Sequence, residues 1–432
     1  SEHLKYASQK LSVMLSLIFN SMLLHGHLPD SLMKTVIIPL VKNRAGNLSD
    51  TNNYRPVALA TAMSKLFEHV LLNKIEIYMY TSHNQFGFKK GYSTDMCLFV
   101  FKQVIEYYNS RGSPVFVCYL DASKAYDRVQ HWLLFKKLIK RNVPLLFIRL
   151  LLYWYREQTY CVQWGSVYSN YFKTSNGVKQ GGILSPKLFN VFMDDLTIEL
   201  KKAKVGCSTP YDILNHLMYA DDLNLLCPSA KGLQVLINVC KKYANEHSII
   251  FNVTKTVCSV ISSKQCIKMV QYPKLFLNDL CISYVDSHKY LGVFISSVND
   301  NNDINRQLRS YITRVNMLVR VFNKCSPEVK TQLFESYCVN MYCPFLWHNY
   351  HKTTMQNFRV TYNNGFRKLL SLNKRCSASG MFAYSEVMSF DEIMRKMSYN
   401  FIQRLYKSKN IFITYFTSSF ARLKSNMWIN WQ

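Results

Sequence analysis

Val115-Phe116-Val117-Cys118-Tyr119-Leu120-Asp121 is an apolar run that follows the helix-breaking stretch Ser110-Arg111-Gly112-Ser113-Pro114 and ends in an acid. So short and so apolar a run, bounded by turn residues, predicts a strand buried on both faces with Asp121 at its end. Farther along, two mostly apolar runs, Ile213 to Met218 and Leu223 to Cys227, flank Tyr219-Ala220-Asp221-Asp222. That arrangement predicts a hairpin with acids at its tip. A buried strand ending in one carboxylate and a hairpin tipped by two more set the frame for the rest of the chain.

Before the first strand, helical patterning over 5 to 25 stops at His25-Gly26, with Leu11, Leu15, Ile18 and Met22 on one face. Thr35 to Val41 is dense in β-branched residues and predicts a strand, and the polar Asn43 to Arg55 predicts a surface loop. Ser64 to Tyr80 and 95 to 109 pattern as helices around a basic turn, His83 to Thr94, that holds Gly87, Lys89, Lys90 and Gly91. After Asp121, the pattern from Lys124 to Arg141 predicts one helix. Lys179-Gln180-Gly181-Gly182 leads into Ser185-Pro186, an N-cap serine followed by proline at the first helical position, opening a helix to about Lys202. Beyond Ser296 the sequence is helical and aromatic, with Arg and Lys among Tyr, Phe and Trp, and a second domain is predicted to begin there.

The 432 residues leave room for two or three domains, and 53 Lys+Arg against 26 Asp+Glu give a net charge of +27. A hydrophobic fraction of 49% with only 14 Gly and 11 Pro argues against disorder. A folded protein this basic is suited to a polyanion, either nucleic acid or an anionic membrane surface. Residues 297–432 are the more basic per residue, with 19 basic and 7 acidic side chains. The 13 cysteines are scattered without CxxC or zinc-type spacing, which reads as reduced thiols in an intracellular protein of nucleus or cytoplasm, not a secreted one. No run reaches the roughly 18 uncharged apolar residues of a membrane span. The nearest, Leu145 to Tyr155, is broken by Arg149, and residues 11–25 pattern as an amphipathic helix rather than a targeting segment.

Nucleotidyl transfer needs charge neutralised on both the attacking and the leaving oxygen, which two Mg²⁺ ions about 4 Å apart accomplish. Mg²⁺ needs only one or two carboxylates from the protein, completed by water and substrate phosphate. Asp121, Asp221 and Asp222 offer such a set. Paired acids in a turn are common in their own right, and Asp194-Asp195 on the helix after Ser185 is an ordinary example.

Three blocks resemble, in order and spacing, the first three palm motifs of reverse transcriptases. They are Tyr119-Leu120-Asp121-Ala122-Ser123-Lys124-Ala125-Tyr126-Asp127, Gln180-Gly181-Gly182-Ile183-Leu184-Ser185-Pro186 and Tyr219-Ala220-Asp221-Asp222. Four further matches are Asn53-Tyr54-Arg55-Pro56-Val57, Asn84-Gln85-Phe86-Gly87-Phe88, Phe251-Asn252 with Lys255-Thr256, and Lys289-Tyr290-Leu291-Gly292. Together they are similar to the reverse transcriptase of non-LTR retrotransposons of the jockey or chicken-repeat type. The resemblance is specific over roughly 22–296 and looser over 297–432.

The resemblance implies an α+β right-hand polymerase. Residues 1–21 would be an N-terminal helical extension, 22–296 the fingers and palm, and 297–432 the helical thumb and C-terminal region. It implies an RNA-directed DNA polymerase acting on an RNA template, a DNA primer or target and dNTPs, with two Mg²⁺ ions for which Mn²⁺ can substitute. Asp121 and Asp221 would be metal ligands, with the Ala122 carbonyl assisting and Asp222 completing the acidic tip. Tyr126 would block a ribose 2′-hydroxyl by clash, although packing on its own helix is the plainer use. Gln180 and Gly181 would lie against the dNTP and the template, the glycine allowing close approach. Arg55 and Lys42 would hold triphosphate, and Lys255 would act near the leaving pyrophosphate; Lys42 and Lys255 also read as surface lysines.

Arg306, Arg309, Arg314 and Arg320 would either track a duplex backbone or form a solvated face. Tyr342, Trp347 and Tyr350 would stack on bases or, more simply, pack in a core. Such elements often carry an endonuclease, for which residues 1–21 are too few, so one would be supplied elsewhere in a longer polyprotein. Rival readings are an RNA-dependent RNA polymerase, a group II intron maturase, and an inactive element relic or co-opted RNA-binding protein.

Overall fold

The computed structural model describes residues 2–210, 212–262 and 272–420, so Cys266 and the final twelve residues of the 297–432 segment lie outside the described residues. The fold is α+β, and a five-stranded sheet forms its centre. Its order is Ser283–Tyr284, Val257–Ile261, Val115–Leu120, Asp222–Cys227 and His216–Tyr219. Val115–Leu120 lies in the middle, antiparallel to both neighbours, and all six of its residues are buried. Side chains alternate along a strand, so Phe116, Cys118 and Leu120 enter one hydrophobic core while Val115, Val117 and Tyr119 enter a second.

The first core is closed by helices His131–Lys140, Leu145–Glu157, Ser185–Lys202 and Ala230–His247. The second is closed by helix Thr94–Asn109 together with Phe390–Tyr406 and Ile411–Phe420 from the far end of the chain. There the rings of Phe99 and Phe401 meet edge to face at 5.8 Å. A third core, around Tyr311, Phe334, Trp347 and Tyr362, joins helices Asn301–Val321, Pro327–Tyr337 and Lys352–Leu369. A separate four-stranded sheet, in the order Tyr54–Ala60, Lys34–Val41, Thr159–Trp164 and Val167–Tyr168, carries the Asn53-to-Val57 motif.

Several local expectations change. Ser185 is the first residue of its helix and not the cap, which is Leu184, and Pro186 follows it within the first turn. The hairpin arms are His216–Tyr219 and Asp222–Cys227, so Ala220 and Asp221 alone form the turn and Asp222 lies within a strand opposite Tyr219. Ile213–Leu214 instead pairs with Cys207–Ser208. Lys124 to Arg141 is not one helix: a 3-10 turn, Ala125–Arg128, precedes helix His131–Lys140. The carbonyls of Tyr126 and Val129 accept the N–H groups of Val178 and Gly177, which keeps them out of a helical ladder. The expected loop ends early, because Tyr54 and Arg55 already pair with Val41 and Leu40.

In helix Gln9–His25 the buried residues are Phe19, Met22 and Leu23, with Ile18 exposed. The large Phe19 ring, 4.8 Å from Phe67, draws the helix around by one residue. No helix among the described residues is long and apolar enough to cross a membrane.

Candidate active site

Leu120 pairs with Leu223 and Tyr219 with Asp222, so Asp121, one residue past the end of the central strand, stands beside the hairpin turn. Its backbone is fixed from the other side. The Asp121 N–H donates to Thr256 Oγ1 at 3.3 Å, its carbonyl accepts from the Asn252 N–H at 2.8 Å, and the Ser123 N–H donates to the Ile250 carbonyl at 2.8 Å. Ala122 bridges to Phe251 between these contacts, and its own carbonyl takes part in none of them. The Phe251-Asn252 and Thr256 motif is thus a brace for the first acid.

The carboxylates repel one another. Burial pushes the Asp221 carboxyl up and the charge of Asp121 adds to the push, against a backbone hydrogen bond and Arg55, which pull it down. For Asp222, the surrounding protein and then the charges of Asp221 and Asp121 raise the carboxyl to about 6, even though part of the side chain remains exposed. Among the described residues no group of three or more His, Cys, Asp or Glu side chains closes into a metal cage. The donor set nevertheless fits a divalent ion that completes its shell with water and phosphate: hard carboxylate oxygens crowded together with too little positive charge to offset them.

Tyr126 does two things at once. Its ring stacks on Phe189 at 4.5 Å and 10°, and burial followed by the charge of Asp221 raises its hydroxyl. Packing fixes the ring, and the electrostatic coupling places it near the acids. Gln180 Nε2 donates to Asp127 Oδ1 at 3.1 Å. Burial raises the Asp127 carboxyl, while Gln180, Lys124, Lys42 and Arg128 act against that rise, so Lys42 lies within electrostatic reach of Asp127. Lys42 Nζ itself donates to the Asn52 carbonyl at 2.9 Å.

Gly181 has φ of +112°, and a Cβ there would sit 2.8 Å from the Ala58 carbonyl, so its immediate neighbour is the strand carrying Arg55. The Ala58 N–H donates to the Gln180 carbonyl at 2.7 Å, tying the loop before helix Ser185–Lys202 to the four-stranded sheet. Lys255 is exposed on the turn whose Asn252 holds Asp121. The basic and aromatic candidates beyond Ser296 divide. Arg306 pairs with Asp303, Arg314 donates to the carbonyls of Tyr337 and Asn340, and Trp347 is buried. Arg309 and Arg320 are exposed.

Sequence reasoning assigned no role to Glu68 or Lys179. The buried Glu68 carboxylate accepts the N–H groups of Ile183 and Leu184 at the start of helix Ser185–Lys202, and Lys179 Nζ lies 3.9 Å from it. Lys179 also sits 4.7 Å over the Trp154 ring. The Gln180-Gly181-Gly182 loop is therefore held from beneath by a carboxylate at a helix N-terminus. The signal was available: Glu68 is a charged residue on the same helix face as the buried Ser64, Leu71 and Ile75.

Residues 41–295 match the family described as reverse transcriptase (RNA-dependent DNA polymerase). The chain is 26% identical over 339 residues to the RNA-directed DNA polymerase from mobile element jockey of Drosophila funebris, covering 74% of this chain and 36% of that protein. It is 26% identical over 290 residues to the Pol polyprotein from type-1 retrotransposable element R2 of Nasonia vitripennis, covering 65% and 28%. The chain thus spans about a third of the length of the curated relatives it matches. Apo telomerase from Candida tropicalis overlays with a TM-score of 0.47 at 12% identity, covering 94% of this chain and 67% of that one, a likeness too loose to carry argument. On the family match across its sheets and acid motifs, the chain belongs to the reverse transcriptase (RNA-dependent DNA polymerase) family.

Proposed function

We propose that this chain is the RNA-directed DNA polymerase core of a jockey-type non-LTR retrotransposon, extending a DNA primer on an RNA template from dNTPs. The observation that carries the reading is the sheet register. Leu120 opposite Leu223, and Tyr219 opposite Asp222, bring carboxylates one hundred residues apart to one sheet end, where burial and then the charge of Asp121 raise the carboxyls of Asp221 and Asp222. In the division we propose, 22–296 form fingers and palm and 297–432 the thumb and C-terminal region.

Asp121 and Asp221 would hold two Mg²⁺ ions, or Mn²⁺ in their place, with the Ala122 carbonyl and Asp222 assisting. When bound, such ions align the primer 3′-hydroxyl with the α-phosphate and stabilise the leaving pyrophosphate. Arg55 and Lys42 would attract the triphosphate from the neighbouring sheet. Gln180, oriented by Asp127, and Gly181 would border the incoming nucleotide and template. Tyr126, fixed by Phe189, would stand against a 2′-hydroxyl. Lys255 would serve the leaving-group side. The polymerase would act inside the cell, with an endonuclease supplied by other parts of a longer polyprotein.

Extension of a DNA primer on an RNA template tests this, with Asp221→Ala/Asp222→Ala and a metal-free lane as controls. Metal-dependent extension with dNTPs that the double variant lacks supports the reading. Failure of the wild-type chain with every divalent ion, while RNA is still bound, favours the relic or co-opted RNA-binding protein. Preference for rNTPs favours an RNA polymerase.

A further inference from the structure

The turn that presents Asp221 is built on an unfavourable residue. Ala220 has φ of +57°, the left-handed region that a side chain with a Cβ avoids and that costs about 1 kcal/mol or more without support. Its support comes from far away in sequence. Gln85, 1% exposed, accepts the Ala220 N–H on Oε1 at 3.0 Å, and its Nε2 reaches the Ala220 carbonyl at 3.5 Å. The same Oε1 accepts the Gly87 N–H at 2.8 Å, so both of its lone pairs are used.

The segment carrying Gln85 is itself tied down. The Phe86 N–H donates to the Met218 carbonyl at 2.8 Å and the Met218 N–H to the Asn84 carbonyl at 2.9 Å, so the segment covers the outer edge strand of the central sheet. Asn84 Nδ2 donates to the His216 carbonyl at 2.8 Å. Asn190 Nδ2, on helix Ser185–Lys202, donates to the Gly87 carbonyl at 2.7 Å. Asn410 Nδ2, near the start of the last described helix, donates to the His83 carbonyl at 2.8 Å. Close approach is needed too, because a Cβ on Gly87 would lie 2.5 Å from the Ala220 nitrogen.

We infer that Gln85 is a positioning residue for the acidic turn: its carboxamide holds Ala220 left-handed and thereby fixes the direction in which Asp221 presents its carboxylate to a divalent ion. This rests on the polymerase reading for its consequence but not for its geometry. Gln85→Leu keeps the bulk and removes both polar atoms. Gln85→Met keeps the length and adds flexibility. Ala220→Gly removes the steric cost of the left-handed turn.

The experiment follows Mn²⁺ binding by electron paramagnetic resonance in the presence of primer and template. It is run alongside primer-extension kinetics at varied Mg²⁺ and dNTP, and thermal melting. Gln85→Leu is expected to weaken Mn²⁺ binding and to lower kcat by about tenfold, the loss from about one well-placed hydrogen-bonded contact. The dNTP KM should stay within about twofold. Ala220→Gly in the Gln85→Leu background should recover part of the loss, because the turn then needs less support. Unchanged Mn²⁺ binding, an effect confined to the dNTP KM, or no recovery with Ala220→Gly overturns the inference. So does loss of the fold in both Gln85 variants, since the residue would then serve stability alone. Wild-type protein that binds Mn²⁺ in a Gln85-dependent way yet extends no primer defeats the polymerase reading and leaves this inference standing.

Discussion

Two groups of acids in this molecule have opposite surroundings. At the start of helix Asn301–Val321, Asp300 accepts from Lys102 Nζ at 2.6 Å and from the His348 and Asn349 N–H groups at 3.1 and 3.2 Å. Asp303, fully buried, accepts from the Phe294 N–H, from Arg306 and from Trp347 Nε1. Burial alone would raise the Asp300 carboxyl, but Lys102, His348 and the hydrogen bonds outweigh it and the net shift is downward. At the sheet end the nearest charges to Asp222 are other carboxylates, and its shift is upward. An acid whose two oxygens are both engaged by donors of the protein serves the fold. Acids whose neighbours are further acids leave their lone pairs to something that arrives from outside.

Breaking each group should therefore give opposite phenotypes. Asp221→Asn is expected to lower primer extension by at least about 10³-fold, since each 1.36 kcal/mol of lost transition-state stabilisation is tenfold and a metal ligand, the role proposed for Asp221, supplies several. The melting temperature without metal should hold or rise, because a repelled charge has been removed. A large loss of stability with activity retained would reverse the contrast. Asp300→Ala should do the converse. It strands the buried Lys102 ammonium and two backbone N–H groups, with an expected cost of about 3–5 kcal/mol by denaturant titration. Residual folded protein should still extend primer.

The contrast also separates what could be read in the sequence from what could not. The central strand, the acid turn and the helix that starts at Ser185 were legible because each is written in local grammar: an apolar run with turn residues, an alternation, a proline in the first helical turn. The partners of Asp300, Glu68 and Gln85 were not, because they lie far off in the chain. Gln85 serves Ala220 at 135 residues' separation, and Lys102 meets Asp300 at 198. Such pairings depend on sheet register and on the return of the C-terminal helices, which no local pattern encodes. The single helix expected over Lys124 to Arg141 failed for the same reason, since Gly177 and Val178 take the carbonyls it would have used.

Tyr126 lies between the two kinds of role, because it is packed and also adjacent to the acids. Tyr126→Val should raise relative use of rNTP over dNTP by about 10- to 100-fold, the range for removing a steric discrimination worth about 1–3 kcal/mol. Loss of the stacked contact with Phe189 should lower stability by about 1 kcal/mol. Loss of stability with an unchanged rNTP to dNTP ratio would place Tyr126 with the structural residues alone.

The smallest expected effect is the pH dependence of stability, and its sign differs between the two groups. With Asp222 raised from 3.8 to about 6, the folded protein binds more protons than the unfolded chain between those values. Its contribution therefore falls as pH rises from about 4 to 6, and the acid turn is destabilising at neutral pH. Asp300 is lowered, so its contribution is present above the ordinary carboxylate range and is lost as pH falls through its lowered folded value. Melting curves in chelator from about pH 3.5 to 7.5 should show Asp222→Asn gaining on the wild type as pH rises through that window, by a margin that water at the exposed edge of Asp222 keeps modest. Asp300→Asn should instead trail the wild type by a margin that stays constant across that window and narrows only at its acid end. Added Mg²⁺ or Mn²⁺ should close the gap for Asp222→Asn and leave that of Asp300→Asn unchanged, because a cation at the sheet end relieves the repulsion that the substitution removes. Parallel curves for Asp222→Asn and wild type would mean that neither burial nor the neighbouring acids shift Asp222, and the distinction between the two groups would then rest on hydrogen bonding alone.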